Sequence, residues 1–407
     1  MNYHLRKGTL PNKSIIELPA SKSIANRLLI AQALSNHQFE IQNLSAAKDT
    51  VLLQSELKSA SNEINVGMAG TAYRFLTAYY AIAGQTKTLT GDARMKERPI
   101  GILVDQLRLM GANIQYLEKE GFPPLKITES KLKGGKIVID GSISSQFISS
   151  LLLIAPYLKE GLKLELIHQA VSLPYIDMTI DLMLKLSINV KRMGKLIEVQ
   201  KGNYQSKKPM VVEADWSSAA FFYQMVAHSG KKMILNGLSI DSVQGDKRCT
   251  DYFKKLGVST KYTDEGVELN PIALENNRMK FEMVDCPDLI PSVAVTGSHL
   301  LDELTINGVA TLRNKESNRV EALKIELRKT GTELIEIGKD EIVLKRVGSP
   351  ESKLRFGVHN DHRMAMSLAP LVLEYDQLVI EDAEVVEKSF PEFWSQLSVT
   401  GIELNSI

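Results

Sequence analysis

The sequence predicts an α/β protein of two domains, built from six repeats of a strand–helix–strand–helix–strand unit, three repeats to a domain. Two independent series of markers predict it. In the first, a short polar opening precedes a long apolar run compatible with a helix. The six segments are SKSIANRLLIAQAL from Ser21, AGTAYRFLTAYYAIA from Ala69, SSQFISSLLLIAPYL from Ser144, DWSSAAFFYQMVA from Asp215, PDLIPSVAVTGSHLL from Pro287 and NDHRMAMSLAPLVL from Asn360. Lys22, Thr71, Ser145, Ser217, Asp288 and His362 mark them at intervals of 49, 74, 72, 71 and 74 residues.

In the second series a helix ends in a small-residue step and a short strand follows. Ala60, Gly111, Ser187, Gly257, Gly331 and Gly401 mark that step, at intervals of 51, 76, 70, 74 and 70 residues. Both series share a short first interval, so the first repeat ends early, at SASNEINV. Strands with polar loops, such as KTLTGDARMKER, MILNGLSIDSVQGD and LTINGVATLRNKES, lead into the second-series helices. A unit of this kind cannot bury its apolar faces alone and must pack on its neighbours.

Composition excludes several classes. The chain has 407 residues, 44% hydrophobic and 24% charged, ordinary for a soluble globular protein. No run of 18 apolar residues occurs, so a membrane span is not expected, and MNYHLRKGTLPNKS lacks the features of a secretory signal. Cys249 and Cys286 offer neither a disulfide framework nor a zinc spacing, and a cytoplasmic setting is expected. Forty-nine Lys and Arg balance forty-eight Asp and Glu without a basic stripe, which argues against a nucleic-acid partner. Cations that matter must therefore be gathered into a site.

The repeated helix openings are where such a site would form. Free N–H groups and a positive dipole end make a helix N-terminus receptive to anions, although Ser, Thr, Asp and Asn there can also be plain caps. In ASKSIANR, Lys22 sits at the helix mouth. Ser23 and Arg27 share a face offset from the apolar stripe of Ile24, Leu28, Ala31 and Leu34, so both are expected to point away from the core. MKERPIG brings Lys96 and Arg98 before a helix that Pro99 could open. SSQF offers Ser144, Ser145 and Gln146 as uncharged donors. In RNKESNR, Lys315 and Arg319 are expected to crowd one helical turn beside Glu316, a repulsion that an anionic ligand would relieve. NDHRMAM places Arg363 before an apolar run, and EKSFPEFW places Lys388 in the loop before the last helix. His359 and His362 have the spacing of a metal pair but no accompanying third ligand, so no metal is expected. Seven cations at corresponding loop–helix junctions (Lys22, Arg27, Arg98, Lys315, Arg319, Arg363 and Lys388) exceed what capping needs and suit two phosphorylated substrates. No nucleotide-binding glycine loop, GxSxG or HExxH is present.

These strings, with GMAGTAYR, LTGDARMKERPIG, DGSISSQF, SLPYIDMT, EADWSSAAFF, QGDKR and PDLIPSVA, resemble EPSP synthases along nearly the whole chain, in the family's order. The resemblance implies an inside-out α/β barrel architecture of two domains, each of three βαβαββ repeats. One would comprise residues 1–19 plus 214–407 and the other residues 20–213, and they would close on substrate. It implies transfer of the enolpyruvyl group of phosphoenolpyruvate to the 5-hydroxyl of shikimate 3-phosphate by addition and elimination, in a monomer without cofactor. It implies that Lys22, Ser23, Arg27, Ser144, Ser145, Ser172, Asp288 and Lys315 hold shikimate 3-phosphate, with Tyr175 against its ring and Gln146 beside both substrates. Lys22, Gly70, Arg98, Arg319, Arg363 and Lys388 would hold phosphoenolpyruvate. Asp288 would accept the hydroxyl proton, Glu316 would supply the proton at C3, and Lys22 would assist.

The chain departs from the family pattern at Met68 (usually Asn), Phe75 (often Pro), Leu173 (often Lys) and Asn318 (often Asp). Two alternatives stand beside this reading: the enolpyruvyl transferase acting on UDP-N-acetylglucosamine, and a non-catalytic anion-binding relative. The loop GDARMKERPIG lacks the cysteine usual in the first, and the second would not need both Asp288 and Glu316.

Overall fold

A computed structural model describes residues 1–168 and 170–407. The chain divides into two compact units. The first comprises Met1–Ser21, Ala46–Lys48 and Glu213–Ile407; the second comprises Lys22–Ser45 and Asp49–Val212.

All six polar-to-apolar segments form helices: Lys22–Leu34, Gly70–Ala83, Ser145–Ile154, Trp216–Ser229, Ile290–Leu300 and His362–Leu368. They carry much of the core because their apolar residues run almost all round, as in Trp216–Ser229, where Trp216 to Val226 are all buried. Their ends follow local rules. The Asp215 carboxylate accepts from Ser218 N and caps that helix, and Gly230, at φ 64°, ends it in the left-handed conformation that favours glycine. The small-residue steps likewise join a helix to a strand, as in Cys249–Lys255 followed by Val258–Tyr262.

Five four-stranded sheets share one order. In the second unit, Gly135–Asp140 runs parallel to Leu162–Ile167, which pairs antiparallel with Leu196–Val199 and that in turn with Val190–Met193. The Ser145–Ile154 helix makes the crossover that a parallel pair requires. The sheet opened by Glu63–Asn65 and Lys87–Thr90 follows suit. So do three sheets of the first unit, whose parallel pairs are Lys13–Glu17 with Lys232–Asn236, Arg278–Glu282 with Glu303–Asn307, and Arg355–Phe356 with Gln377–Ile380. In the last of these the antiparallel partner of Gln377–Ile380 is the N-terminal strand Tyr3–Lys7, which also pairs with Ile402–Ser406.

The short first interval has a structural cause. Among the described residues only a two-stranded parallel sheet forms there, from Ile41–Gln42 and Met210–Val211. Glu63–Asn65, read from the sequence as the end of the first repeat, bonds in parallel to Lys87–Thr90 and so opens the next sheet. Among the described residues no helix is long and apolar enough to cross a membrane.

Candidate active site

In the first unit, acidic and basic side chains from four loop–helix junctions meet. Arg319, the first residue of the Arg319–Arg328 helix, is 1% exposed. Its guanidinium reaches three carboxylates: Asp361 through Nε at 2.7 Å and Nη2 at 3.2 Å, Asp288 through Nη1 at 3.0 Å, and Glu316 through Nη2 at 3.0 Å. Asp288 also receives Arg363 Nη2 at 2.9 Å and Lys315 Nζ at 3.4 Å, while Lys388 Nζ lies 3.4 Å from Glu316. Asp361 caps the His362–Leu368 helix by accepting from Arg363 N at 3.0 Å, and it accepts from Ser317 Oγ at 3.1 Å.

The electrostatics of this cluster are uneven. Burial raises the Asp288 carboxyl, but Arg363, Lys315 and Arg319 outweigh it and hold the group well below the usual carboxylate range. Asp246 behaves oppositely. Burial first, and then the charge of Asp288, push it up to about 6, while its neighbour Ser217 donates to it.

The second unit assembles its own set. Lys22, opening its helix, pairs with Asp49 at 3.0 Å. Gly70 lies beneath two guanidinium groups: a Cβ built there would stand 2.4 Å from Arg98 Nη1 and 2.8 Å from Arg74 Nη1. Arg98 is 5% exposed, and its Nε and Nη1 are buried with no hydrogen-bond partner among the described residues. Buried donors in that condition are costly and call for an acceptor, and a carboxylate or phosphate would serve. Gln146 donates to Thr71 Oγ1 at 3.2 Å, and Ser144 accepts weakly from Gln146 N at 3.3 Å as a cap. Ser145 and Ser172 are buried, and Ser172, at φ 55°, precedes the Leu173–Lys185 helix without a side-chain cap bond.

Three expectations need correction. Arg27 does not point away from the core: it is 2% exposed and donates to Thr179 Oγ1 (2.7 Å), Ser149 Oγ (3.1 Å) and the carbonyls of Ser23 (2.9 Å) and Tyr175 (3.1 Å). Polar side chains on the neighbouring helices Ser145–Ile154 and Leu173–Lys185 make its buried face hospitable, which its own helix pattern does not reveal. Nor do Lys315 and Arg319 share a helical turn. Ala310–Asn314 is a 3₁₀ helix, Lys315 is extended at ψ −162°, and the α-helix starts only at Arg319. Their charges are met by Asp288, Glu316 and Asp361. MKERPIG also splits: Lys96 pairs at the surface with Glu118 while Arg98 turns inward, and the helix begins at Gly101.

Sequence reasoning missed Asp361, Asp246, Asp49 and Arg74. Asp361 stands in NDHRMAM ahead of an apolar run with no site role assigned to it, Asp246 lies in the polar string QGDKR, and Arg74 sits within an apolar helix. No local pattern distinguishes them; only their partners do.

The chain resembles known proteins over its full length. Residues 53–397 match the family model for EPSP synthase (3-phosphoshikimate 1-carboxyvinyltransferase). A 3-phosphoshikimate 1-carboxyvinyltransferase of Bacteroides fragilis is 41% identical, covering 96% of this chain and 95% of the relative. That of Colwellia psychrerythraea is 35% identical, covering 94% and 96%. A solved EPSP synthase of Acinetobacter baumannii superimposes with a TM-score of 0.77 over the whole of both chains at 21% identity, a likeness of fold.

Proposed function

The chain belongs to the EPSP synthase family, and from that premise we propose how its residues divide the reaction. The reaction transfers the enolpyruvyl group of phosphoenolpyruvate to shikimate 3-phosphate, with release of phosphate, in the shikimate pathway that leads to aromatic amino acids. The relatives do not favour the UDP-N-acetylglucosamine alternative.

Lys22, Ser23, Arg27, Ser144, Ser145, Ser172, Lys315 and Asp288 hold shikimate 3-phosphate, with Tyr175 along its ring and Gln146 near both substrates. Arg27 would do so while also fixing the helices that carry its partners, because four of its five N–H donors are engaged there. Gly70, Arg98, Arg319, Arg363, Lys388 and Lys22 hold phosphoenolpyruvate; the bare donors of Arg98 support that part.

Asp288 takes the proton of the 5-hydroxyl as it attacks C2 of phosphoenolpyruvate, while Glu316 delivers a proton to C3. In the elimination Glu316, now a carboxylate, takes a proton back from C3 as the C2–O bond to phosphate breaks and the C2–C3 double bond re-forms. The surrounding cations stabilise the growing charge on the departing phosphate. The observation that carries this reading is the meeting of Arg363, Lys315 and Arg319 on one carboxylate. In the free protein these cations keep Asp288 ionised but make it a weak base. Anionic substrates that draw on the same cations would raise its proton affinity, so the base strengthens when substrates are bound.

For the architecture, we read the two units as two domains of three repeats forming an inside-out α/β barrel fold, with crossings near residues 19–20 and 213–214. The shared order of five sheets and the unit boundaries at Ser21 and Val212 support this. A cytoplasmic monomer is the accompanying proposal.

Phosphate release with both substrates, beside Asp288→Asn, tests the function. Release that requires shikimate 3-phosphate and falls on the order of 10²- to 10⁴-fold in the variant supports it. Undiminished release in the variant would remove Asp288 as base, and no release from folded wild type would sink the activity.

A further inference from the structure

One buried carboxylate beside the charge cluster has no part in the reaction as drawn. Glu326 is 2% exposed and lies seven residues beyond Arg319 on the Arg319–Arg328 helix, so both side chains fall on one helix face. Its Oε2 accepts from Gly357 N at 3.0 Å and from Lys329 Nζ at 2.7 Å, and its Oε1 accepts from His359 Nε2 at 2.8 Å. Burial pushes this carboxyl up, yet the hydrogen bonds from His359 and Lys329 outweigh it and hold the group below its usual range. Lys329, 24% exposed, divides its ammonium group between Glu326 and Arg355 O.

What Glu326 grips is strained. His359 and Asn360 are successive non-glycine residues in the left-handed region, at φ 53° and 56°. Such backbone persists only where its surroundings hold it. Immediately beyond, Asp361 is clamped by Arg319, and Arg363 reaches Asp288. One helix therefore holds this segment at two points, Arg319 on Asp361 and Glu326 on Gly357 and His359.

We propose that Glu326, through His359, is a positioning residue that fixes the 357–360 turn so that Arg363 presents its guanidinium to Asp288 and to phosphoenolpyruvate. The proposal rests on the reading that Arg363 binds phosphoenolpyruvate. A side chain that merely filled a buried polar slot would affect stability without touching one substrate selectively.

Steady-state kinetics on the purified full chain separate the two. Glu326→Ala is expected to raise KM for phosphoenolpyruvate on the order of tenfold, as loss of charge-assisted hydrogen bonds would give, with KM for shikimate 3-phosphate nearly unchanged. Glu326→Gln, which keeps an acceptor oxygen, should recover most of that loss. His359→Gly relieves the backbone strain but removes the tie, so it should raise the same KM although it folds readily. In an Arg363→Lys background, Glu326→Ala should add little, because the residue through which it acts is already impaired. An unchanged KM for phosphoenolpyruvate in Glu326→Ala and His359→Gly, or equal losses with and without Arg363, would overturn the proposal while leaving the activity in place. If Glu326→Ala does not fold, His359→Gly and Glu326→Gln decide alone. A wild type without turnover would instead overturn the functional reading, and this proposal with it.

Discussion

Arg319 and Asp361 form a two-pronged pair, Nε to Oδ2 at 2.7 Å and Nη2 to Oδ1 at 3.2 Å, with the arginine 1% and the aspartate 0% exposed. A charge pair so far from water stabilises little against an apolar substitute, but without Asp361 the Arg319 Nε and the Arg363 N–H lose their acceptor, although Asp288 and Glu316 still meet the arginine's charge. Asp361→Ala should therefore lower stability by about 1–3 kcal/mol, the cost of buried donors left unsatisfied. Both tryptophans, Trp216 and Trp394, lie in the first unit. Urea unfolding followed by their fluorescence is the measurement, and a midpoint unmoved from wild type would show that the pair is replaceable.

Gly70 is required by space. An alanine methyl there would collide with Arg98 at 2.4 Å and with Arg74 at 2.8 Å. The helix itself accepts alanine, so the cost falls on the arginines. Gly70→Ala should fold with wild-type stability and raise KM for phosphoenolpyruvate by roughly tenfold or more, equivalent to about 1.4 kcal/mol. Initial rates at varied phosphoenolpyruvate and saturating shikimate 3-phosphate will show it. A rise confined to shikimate 3-phosphate would contradict the assignment.

Asp246 gives a pH-dependent prediction. Its carboxyl is pushed up to about 6 by burial and then by Asp288, so the folded protein prefers it protonated. The contribution of that preference is complete below the ordinary aspartate range and is lost as pH rises through about 6. Asp246→Asn escapes the loss and can still accept from Ser217. It should be more stable than wild type by on the order of 2 kcal/mol at pH 8 and nearly equal to it at pH 4. Denaturant titrations at the two pH values check this, and a gain of equal size at both would disprove it.

Arg27 separates anchoring from binding. Its planar fork serves four acceptors that a lysine cannot reach together. Arg27→Lys should lower stability by about 2 kcal/mol through acceptors left without donors. Thermal unfolding followed by far-ultraviolet circular dichroism will register it. A wild-type melting curve with a raised KM for shikimate 3-phosphate would assign Arg27 to the ligand alone.

The sequence disclosed the parts of this molecule governed by local rules. The six apolar runs after polar openings are helices because periodic burial and capping are written in adjacent residues. The junction cations were visible for the same reason. What it could not disclose depended on contacts between distant segments. The inward turn of Arg27 is set by Thr179 and Ser149, more than a hundred residues away. The register of Lys315 is set by a 3₁₀ turn that composition does not distinguish from an α-helix. Asp361 looks like any cap until Arg319 is placed beside it, and the tie between Glu326 and His359 spans 33 residues.

The strand arrangement of the first unit also dictates an order of events during synthesis. Lys13–Glu17 has its neighbour in Lys232–Asn236, and Tyr3–Lys7 sits between Gln377–Ile380 and Ile402–Ser406. These early strands thus find their partners only after segments hundreds of residues later have been made. The second unit, whose residues lie between 22 and 212, can gather its contacts while the remainder is still being translated. Until those later segments are made, the two strands travel as unpaired edges, the state most exposed to wrong pairing with other chains. Tyr3–Lys7 carries His4, Arg6 and Lys7 among its five residues, and those basic side chains oppose such pairing while the strand waits.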